Sequence, residues 1–415
     1  MTGRGLTLCF VAVIFPLFLS TTAWSAEAPY DWGTTGVSDT SRVQNILQIT
    51  DNLYNDGPVD GNNAIYSFGP LPWDKNGEWI VYTSEIGASS SINKEICKIK
   101  KDGTGFAKLT VNNVEDSNAS FGSDGKIYFE RNDSGLKIYR MNSDGSGEQN
   151  LTDAHIGSTG ETDVRPSPDA AKIAYRYFDR LWVADSDGQY PVQVSQETPS
   201  IIYCQGYYQF DWSPDSQWIV YNGYVTQYAI YKVKSDGSGH TQITLPSSGV
   251  SDYRPAWSPD GSKIAFKRYD NGANKLLMMN PDGTGSVLLD ETTGNWTLDY
   301  YGPLSWSPDS KWLAYRKNFN DSVNPAYNAI FIINVATKTA YQLTTDYYDY
   351  VPFWSPAGNQ ILFQDSPSSP SRDDSPVLGG TNNQADILII NLIGNYGGSF
   401  PWPMFMPAVQ SGSKK

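Results

Sequence analysis

The sequence predicts an all-β ring, a seven-bladed β-propeller of four-stranded blades, and three observations predict it. One anchor segment recurs seven times, at steps of 48, 45, 46, 45, 49 and 48 residues. Each copy carries the signals of four short strands joined by tight turns. The last copy lacks an outer strand, which a segment near the N-terminus supplies. Steps of this size suit four-stranded blades, for which roughly 40–50 residues per unit is usual. Composition agrees. With 13% aromatic residues, 37 Gly, 25 Pro and only 18% charged residues, the chain has the balance of a β-rich, turn-rich protein.

Residues 1–25 read as a secretory signal. Arg4 gives a short positive start, Leu6 to Leu19 is an apolar run, and Ala23-Trp24-Ser25 offers small residues for cleavage. The run is too short to span a bilayer comfortably, and no stop-transfer pattern follows. A soluble protein in the periplasm or the medium is expected, with residues 26–41 as an extension before the propeller at 42–399. Cys97 and Cys204, the cysteines left after cleavage, are expected to be thiols.

The clearest anchors are Trp212-Ser-Pro-Asp215, Trp257-Ser-Pro-Asp260 and Trp306-Ser-Pro-Asp309, each followed by a β-branched and aromatic run. Weaker copies contain Trp73, Phe121, Ser167 and Trp354. A short inner strand ends at the Trp. Ser-Pro-Asp-Gly then makes the turn, because Pro fixes φ and Asp or Gly tolerates the corner. A second strand such as Lys263–Phe266 follows, then a loop and a third strand such as Ala229–Lys234. An Asp-Gly hairpin leads to an outer strand ending in Gln242-Ile-Thr244 or its kin. The final unit has an anchor and a third strand at Ala385–Asn391, but no such ending. The missing strand occurs at Gln44–Thr50, so the N-terminus is expected to complete the last blade and hide a free sheet edge.

These anchors resemble the TolB-type (WD40-like) propeller repeat, with its Pro-x-Trp-Ser-Pro-Asp-Gly turn and closing Leu-Thr. The resemblance runs from about residue 42 to 391 and recurs seven times. It departs from TolB itself, which has six blades and a preceding α/β domain that is not found here. What the resemblance implies is a propeller scaffold that meets a protein partner in the cell envelope.

Several chemistries are excluded or disfavoured. A net charge of −14 argues against nucleic acid and anionic membranes as partners. The Asp-Gly-x-Gly turns, such as Asp102–Gly105 and Asp236–Gly239, lack the further carboxylates of a calcium loop and read as hairpins. The repeated Trp residues hold one place in every unit, which favours packing between blades over sugar stacking. His155 and His240 are the only histidines, in separate turns, so neither a His-metal site nor a Ser-His-Asp triad assembles. No catalytic residue, metal or cofactor is expected, although abundant carboxylates leave a glycosidase- or lyase-like alternative open.

Function therefore falls to the loops. The Ser-Pro-Asp and Asp-Gly turns share one rim. The opposite rim carries irregular connections, including the long 364–384 segment, expected to be mobile with Pro367, Pro370 and Pro376. There, acids and aromatics lead into the inner strands. The candidate binding residues are Asp252, Tyr253, Arg254, Asp299, Tyr300, Asp349 and Tyr350, with Tyr207 and Tyr208 beside them. Arg176, Arg268 and Arg316 follow second strands and are placed to neutralise some of these carboxylates. The expected function is a noncatalytic scaffold binding a protein or peptide at this rim and the channel mouth. A carbohydrate-binding or carbohydrate-active protein is the alternative, and docking of the Pro-aromatic tail 400–415 into a larger assembly is a third reading.

Overall fold

The computed structural model describes residues 30–31, 42–49, 69–86, 93–152, 161–178, 180–196, 210–291, 296–298, 302–319, 327–344, 348–366 and 386–393. The signal segment, most of the extension, Cys204, His155, the tail and most of the 364–384 loop lie outside them. The first three residues of that loop belong to the strand Gln360–Ser366.

The described residues form strands and turns only, arranged as seven antiparallel blades, as predicted. Blades 1 to 6 occupy 69–108, 115–150, 161–193, 210–242, 250–291 and 296–342. Blade 5 shows the pattern plainly, with Val250–Trp257, Ile264–Asp270, Ala273–Met279 and Val287–Glu291 paired in sequence order. In blade 1 the inner strand contracts to a bridge between Trp73 and Ile80. In blade 6 it is split into Trp296–Leu298 and Ser305–Trp306.

Blade 7 contains Tyr348–Trp354, Gln360–Ser366 and Asp386–Leu392, and its outer strand is Val43–Gln48. Ile46 lies opposite Ile390, Gln48 opposite Leu388, and the Ile49 N–H donates to the Ile387 carbonyl at 2.8 Å. The predicted closure is therefore observed, one or two residues earlier than the sequence placed it. Tyr30–Asp31 adds a further short strand on the outside of Val43–Gln48.

Packing shows why the ring holds. Among the described residues there are seven buried apolar clusters, and each spans two consecutive blades. One joins Val220 and Ile230 of blade 4 to Trp257, Ile264 and Phe266 of blade 5. Another joins Ile387 and Leu362 of blade 7 to Trp73, Ile80 and Cys97 of blade 1, with Ile49 inside it. Alternate residues of each strand face the next blade, so a single blade buries little by itself. Cys97 is a free thiol in that cluster, its pKa pushed up to about 12 by burial.

The repeated Trp residues are packing residues, as predicted. Trp73, Trp212 and Trp306 are buried, and each indole N–H donates to the preceding blade's inner strand, at the carbonyls of Phe353, Arg165 and Ala256. The Ser-Pro-Asp turns close on themselves. Ser213 Oγ donates to Asp215 Oδ1 at 2.5 Å, and that oxygen also accepts the Gln217 N–H at 3.0 Å. The Asp-Gly turns use their carboxylates likewise. Asp236 Oδ1 accepts from the Ser238 N–H at 2.9 Å, and Asp282 Oδ1 from the N–H and hydroxyl of Thr284.

Candidate functional site

The inner strands of blades 2, 3, 5 and 7 share a bulge that periodicity alone does not reveal. Pairing slips one residue between Ser117 and Ser120, Thr162 and Arg165, Tyr253 and Ala256, and Tyr350 and Phe353. At the same point in each, Asn118, Asp163, Arg254 and Val351 take φ values of 59°, 58°, 55° and 47°. A bulge leaves an N–H outside the ladder and re-aims a side chain. In blades 2, 3 and 5 the freed N–H is taken by the preceding blade. Asn118 N–H donates to Thr83 Oγ1 at 3.1 Å, Asp163 N–H to Glu130 Oε1 at 2.6 Å, and Arg254 N–H to Asn222 Oδ1 at 3.4 Å. Thr83, Glu130 and Asn222 hold one repeat position in the second strand and are buried. At the same position in blade 5, buried Lys267 donates from Nζ to the Gly302 carbonyl at 2.7 Å. Polar clamps thus lock successive inner strands together around the axis.

Inside these strands lies an axial cavity of about 210 Å³. Seven of its eighteen lining residues are prolines, and Trp212, Trp257, Trp306, Leu304 and Phe353 supply most of the remaining wall. Its charged members are Arg165, Asp211 and Arg254. Pro168, Pro214 and Pro259 come from Ser-Pro-Asp turns, so the cavity reaches towards the turn-bearing rim, opposite the rim the sequence singled out.

The electrostatics around it are dense. Asp211 Oδ1 accepts from the Trp212 N–H at 3.0 Å and Oδ2 from the Trp257 N–H at 2.7 Å, tying blades 4 and 5 together. Arg165 Nη1 approaches Asp211 Oδ1 at 3.4 Å, while its guanidinium lies 4.9 Å from the Phe210 ring centre. Burial raises the pKa of Asp163, and the guanidiniums of Arg176, Arg165 and Arg254 pull it back down. Behind Asp163, Glu130 is pushed up to about 8, chiefly by burial and then by the Asp163 charge. Glu130 is mostly protonated at neutral pH.

The predicted site residues are dispersed by this geometry. Arg254 lines the cavity. Asp252 is fully buried and forms a two-pronged pair with Arg268, at 2.6 and 2.9 Å, across the adjacent strand. Asp116 and Arg131 repeat that pair in blade 2 at 2.7 and 2.8 Å. Tyr253 is buried and packs against Tyr228, which packs against Tyr224, with ring centres 4.8 and 4.9 Å apart and ring planes tilted by 40° and 50°. Asp349 and Tyr350 lie in the inner strand of blade 7, opposite Asp365 and Gln364. Asp299, Tyr300, Tyr207 and Tyr208 lie outside the described residues.

Sequence reasoning missed Arg165 and Asp211. A signal was available. The slot just before the anchor Trp holds Pro72, Ser120, Arg165, Asp211, Ala256, Ser305 and Phe353, the most varied position in an otherwise repeated motif. Of the histidines, His240 accepts or donates one contact with the Tyr221 hydroxyl at 2.7 Å beside an outer strand. Among the described residues, no three His, Cys, Asp or Glu side chains group as metal ligands would.

No family model matches the chain. An uncharacterized protein of Agrobacterium fabrum is 36% identical over 120 residues, which is 26% of this chain and 39% of that protein. The Tol-Pal system protein TolB of Gluconobacter oxydans is 33% identical over 118 residues, 26% of this chain and 24% of its own length. The matches thus span well under half of these relatives. Among solved structures, an oligogalacturonate lyase from Vibrio parahaemolyticus superposes with a TM-score of 0.61 at 14% identity, covering 88% of this chain and 96% of the lyase. An oligogalacturonate lyase in complex with manganese follows at 0.59 and 12% identity. Likeness at such identity concerns the fold alone. Blade topology makes this chain a seven-bladed β-propeller, and its recurring Trp-Ser-Pro-Asp anchors and the matched segment are similar to TolB.

Proposed function

We propose that the protein is an exported, noncatalytic scaffold that binds a protein or peptide partner through its loop-rich rim and channel mouth. The observation that carries this reading is the cluster of tilted, contacting rings of Tyr224, Tyr228 and Tyr253 where blades 4 and 5 meet at that rim. Tyr224 and Tyr228 remain half-exposed, so they present an aromatic ledge on a frame held by polar clamps. Rigid aromatic anchors suit protein recognition because they bury large area at low entropic cost. Arg254, Asp299, Tyr300, Asp349, Tyr350, Tyr207 and Tyr208 are proposed to continue the surface, with Asp252 and Arg268 bracing it from beneath. The TolB match supports a partner in the cell envelope, since that relative is named for the Tol-Pal system.

The test is capture from an envelope extract on immobilised protein, run beside a glycan array. A partner retained by the native protein and by Gln217→Ala, but lost from the Tyr224→Ala/Tyr228→Ala double variant, supports the reading. Saturable glycan binding with no protein captured overturns it in favour of a carbohydrate ligand.

A further inference from the structure

We propose that the axial cavity is the docking site of the chain's own Pro-aromatic tail, with residues 400–407, Phe-Pro-Trp-Pro-Met-Phe-Met-Pro, seated in it from the turn-bearing rim. The occupant belongs to this chain and enters opposite the loop-rich rim, so the proposal stands independently of the partner reading. Reach gives the first argument. Residues 394–415 lie outside the described residues, but the point where they leave the propeller is fixed. The Leu392 N–H donates to the Asn359 carbonyl at 2.9 Å, and the Ile393 N–H donates to the Arg42 carbonyl. Asn359 belongs to the corner that the Ser355 N–H closes on the Gln360 carbonyl, so the chain departs from blade 7 on the turn-bearing rim. The cavity reaches towards that rim through Pro168, Pro214 and Pro259, and blade 7 supplies Phe353 to its wall. From the third strand of a blade to its inner strand is two strand spacings, about 10 Å. Residues 394–399 span up to about 20 Å when extended, so the segment from Phe400 onwards reaches the wall.

The wall gives the second. Its seven prolines have no N–H. The indole N–H groups of Trp212, Trp257 and Trp306 already donate to the Arg165, Gly261 and Ala256 carbonyls, which leaves apolar ring surface for an occupant. Arg165 and Arg254 are 8% and 3% exposed, and Asp211 is held by two backbone N–H groups. A charged or hydroxyl-rich occupant would be desolvated there at a cost, whereas an apolar one would not. Every residue of 400–407 is proline, aromatic or methionine. Pro401, Pro403 and Pro407 also remove three backbone donors that such a wall could not satisfy.

Preorganisation gives the third. Proline fixes its own φ and disfavours helical geometry in the residue before it, so Phe400, Trp402 and Met406 lose little freedom on docking. Pro-rich segments dock in aromatic-lined grooves by this route. A volume of about 210 Å³ falls below the roughly 300–1,000 Å³ of drug-sized pockets, so the cavity takes a few side chains of the segment, centred on Trp402.

The test uses the full chain. A dye-labelled peptide of residues 399–407, its C-terminus amidated, is titrated against the native protein and against the Trp402→Ser/Phe405→Ser variant, with anisotropy as the readout. A short tether holds the native tail at about millimolar effective concentration. The peptide should therefore bind the variant saturably with a Kd below about 100 μM, and the native protein at least about tenfold more weakly. Equal binding to both, or saturable binding to neither, overturns the proposal. Added to that variant, Leu71→Asp puts a charge into the wall and should weaken the peptide at least about tenfold, and undiminished binding overturns the site. If Leu71→Asp fails to fold, a peptide with benzoylphenylalanine in place of Phe405 is irradiated on the tail variant. Crosslinks around Trp212, Trp257 or Trp306 support the cavity, and crosslinks confined to other faces overturn it. The native protein should sediment as a monomer, and a dimer that the tail variant loses would give the cavity to a second copy's tail and overturn docking within one chain.

Discussion

Asp252 illustrates how one residue's surroundings decide its role. On the sequence it is an acid beside an aromatic at a loop-rich rim. In the fold it is fully buried and committed to Arg268 across the strand. Removing one partner of such a pair strands the other charge, so Arg268→Met should destabilise the protein by about 3–5 kcal/mol in denaturant unfolding. A loss below about 1 kcal/mol would mean that Asp252 is solvated and available to ligand. Glu130 makes a pH-dependent case. Its folded pKa of about 8 lies above its ordinary 4.5, so the folded state holds the proton more tightly. Its stabilising contribution is complete below 4.5 and is lost as pH rises through about 8. Melting temperature should therefore fall over that window, and Glu130→Gln should flatten the fall. A Glu130→Gln variant with the native pH profile would contradict the buried, protonated side chain.

Turns and bulges are the elements on which blade geometry depends. After every Ser-Pro-Asp-type corner the chain takes a positive φ, at Gly261 (73°), but also at Ala170 (55°), Ser216 (60°) and Ser310 (60°). The serines have a compensating role, because Ser216 Oγ and Ser310 Oγ accept the Asp169 and Asp260 N–H groups of preceding blades, both at 3.0 Å. Ala170 has no hydroxyl to offer. Ala170→Gly should thus stabilise by up to about 1 kcal/mol, whereas Ser216→Gly should gain less or lose stability. Equal gains in both would show that the inter-blade bond contributes nothing. The corners were legible in the sequence because Ser, Pro and Asp each serve a local purpose that repeats. The bulges were not, since Asn118, Asp163, Arg254 and Val351 share a backbone shape and no chemistry. Arg165 and Asp211 escaped notice for a related reason: their significance comes from seven strands converging on one axis, which no single repeat encodes.

At the scale of the whole molecule, the ring is a chain of seven similar interfaces, and the last depends on residues far apart in sequence. Val43–Gln48 covers the edge of Asp386–Leu392, and Ile49 enters the cluster between blades 7 and 1. Deleting residues 41–52 should expose that edge and lower melting temperature and solubility markedly. A deletion that melts like the native protein would mean that the ring closes without this strand. On the proposed reading, binding occurs at the mouth that bears the connection around Tyr224–Tyr228, above the clamped inner strands. The most direct test of that claim is amide hydrogen exchange of the protein with and without the partner captured from envelope extract. Added protection should centre on Phe210–Trp212, Val250–Trp257 and the connections around Tyr224–Tyr228. Protection confined to outer strands such as Val192–Gln193 and Thr241–Gln242, or to the Asp-Gly turns, would contradict it.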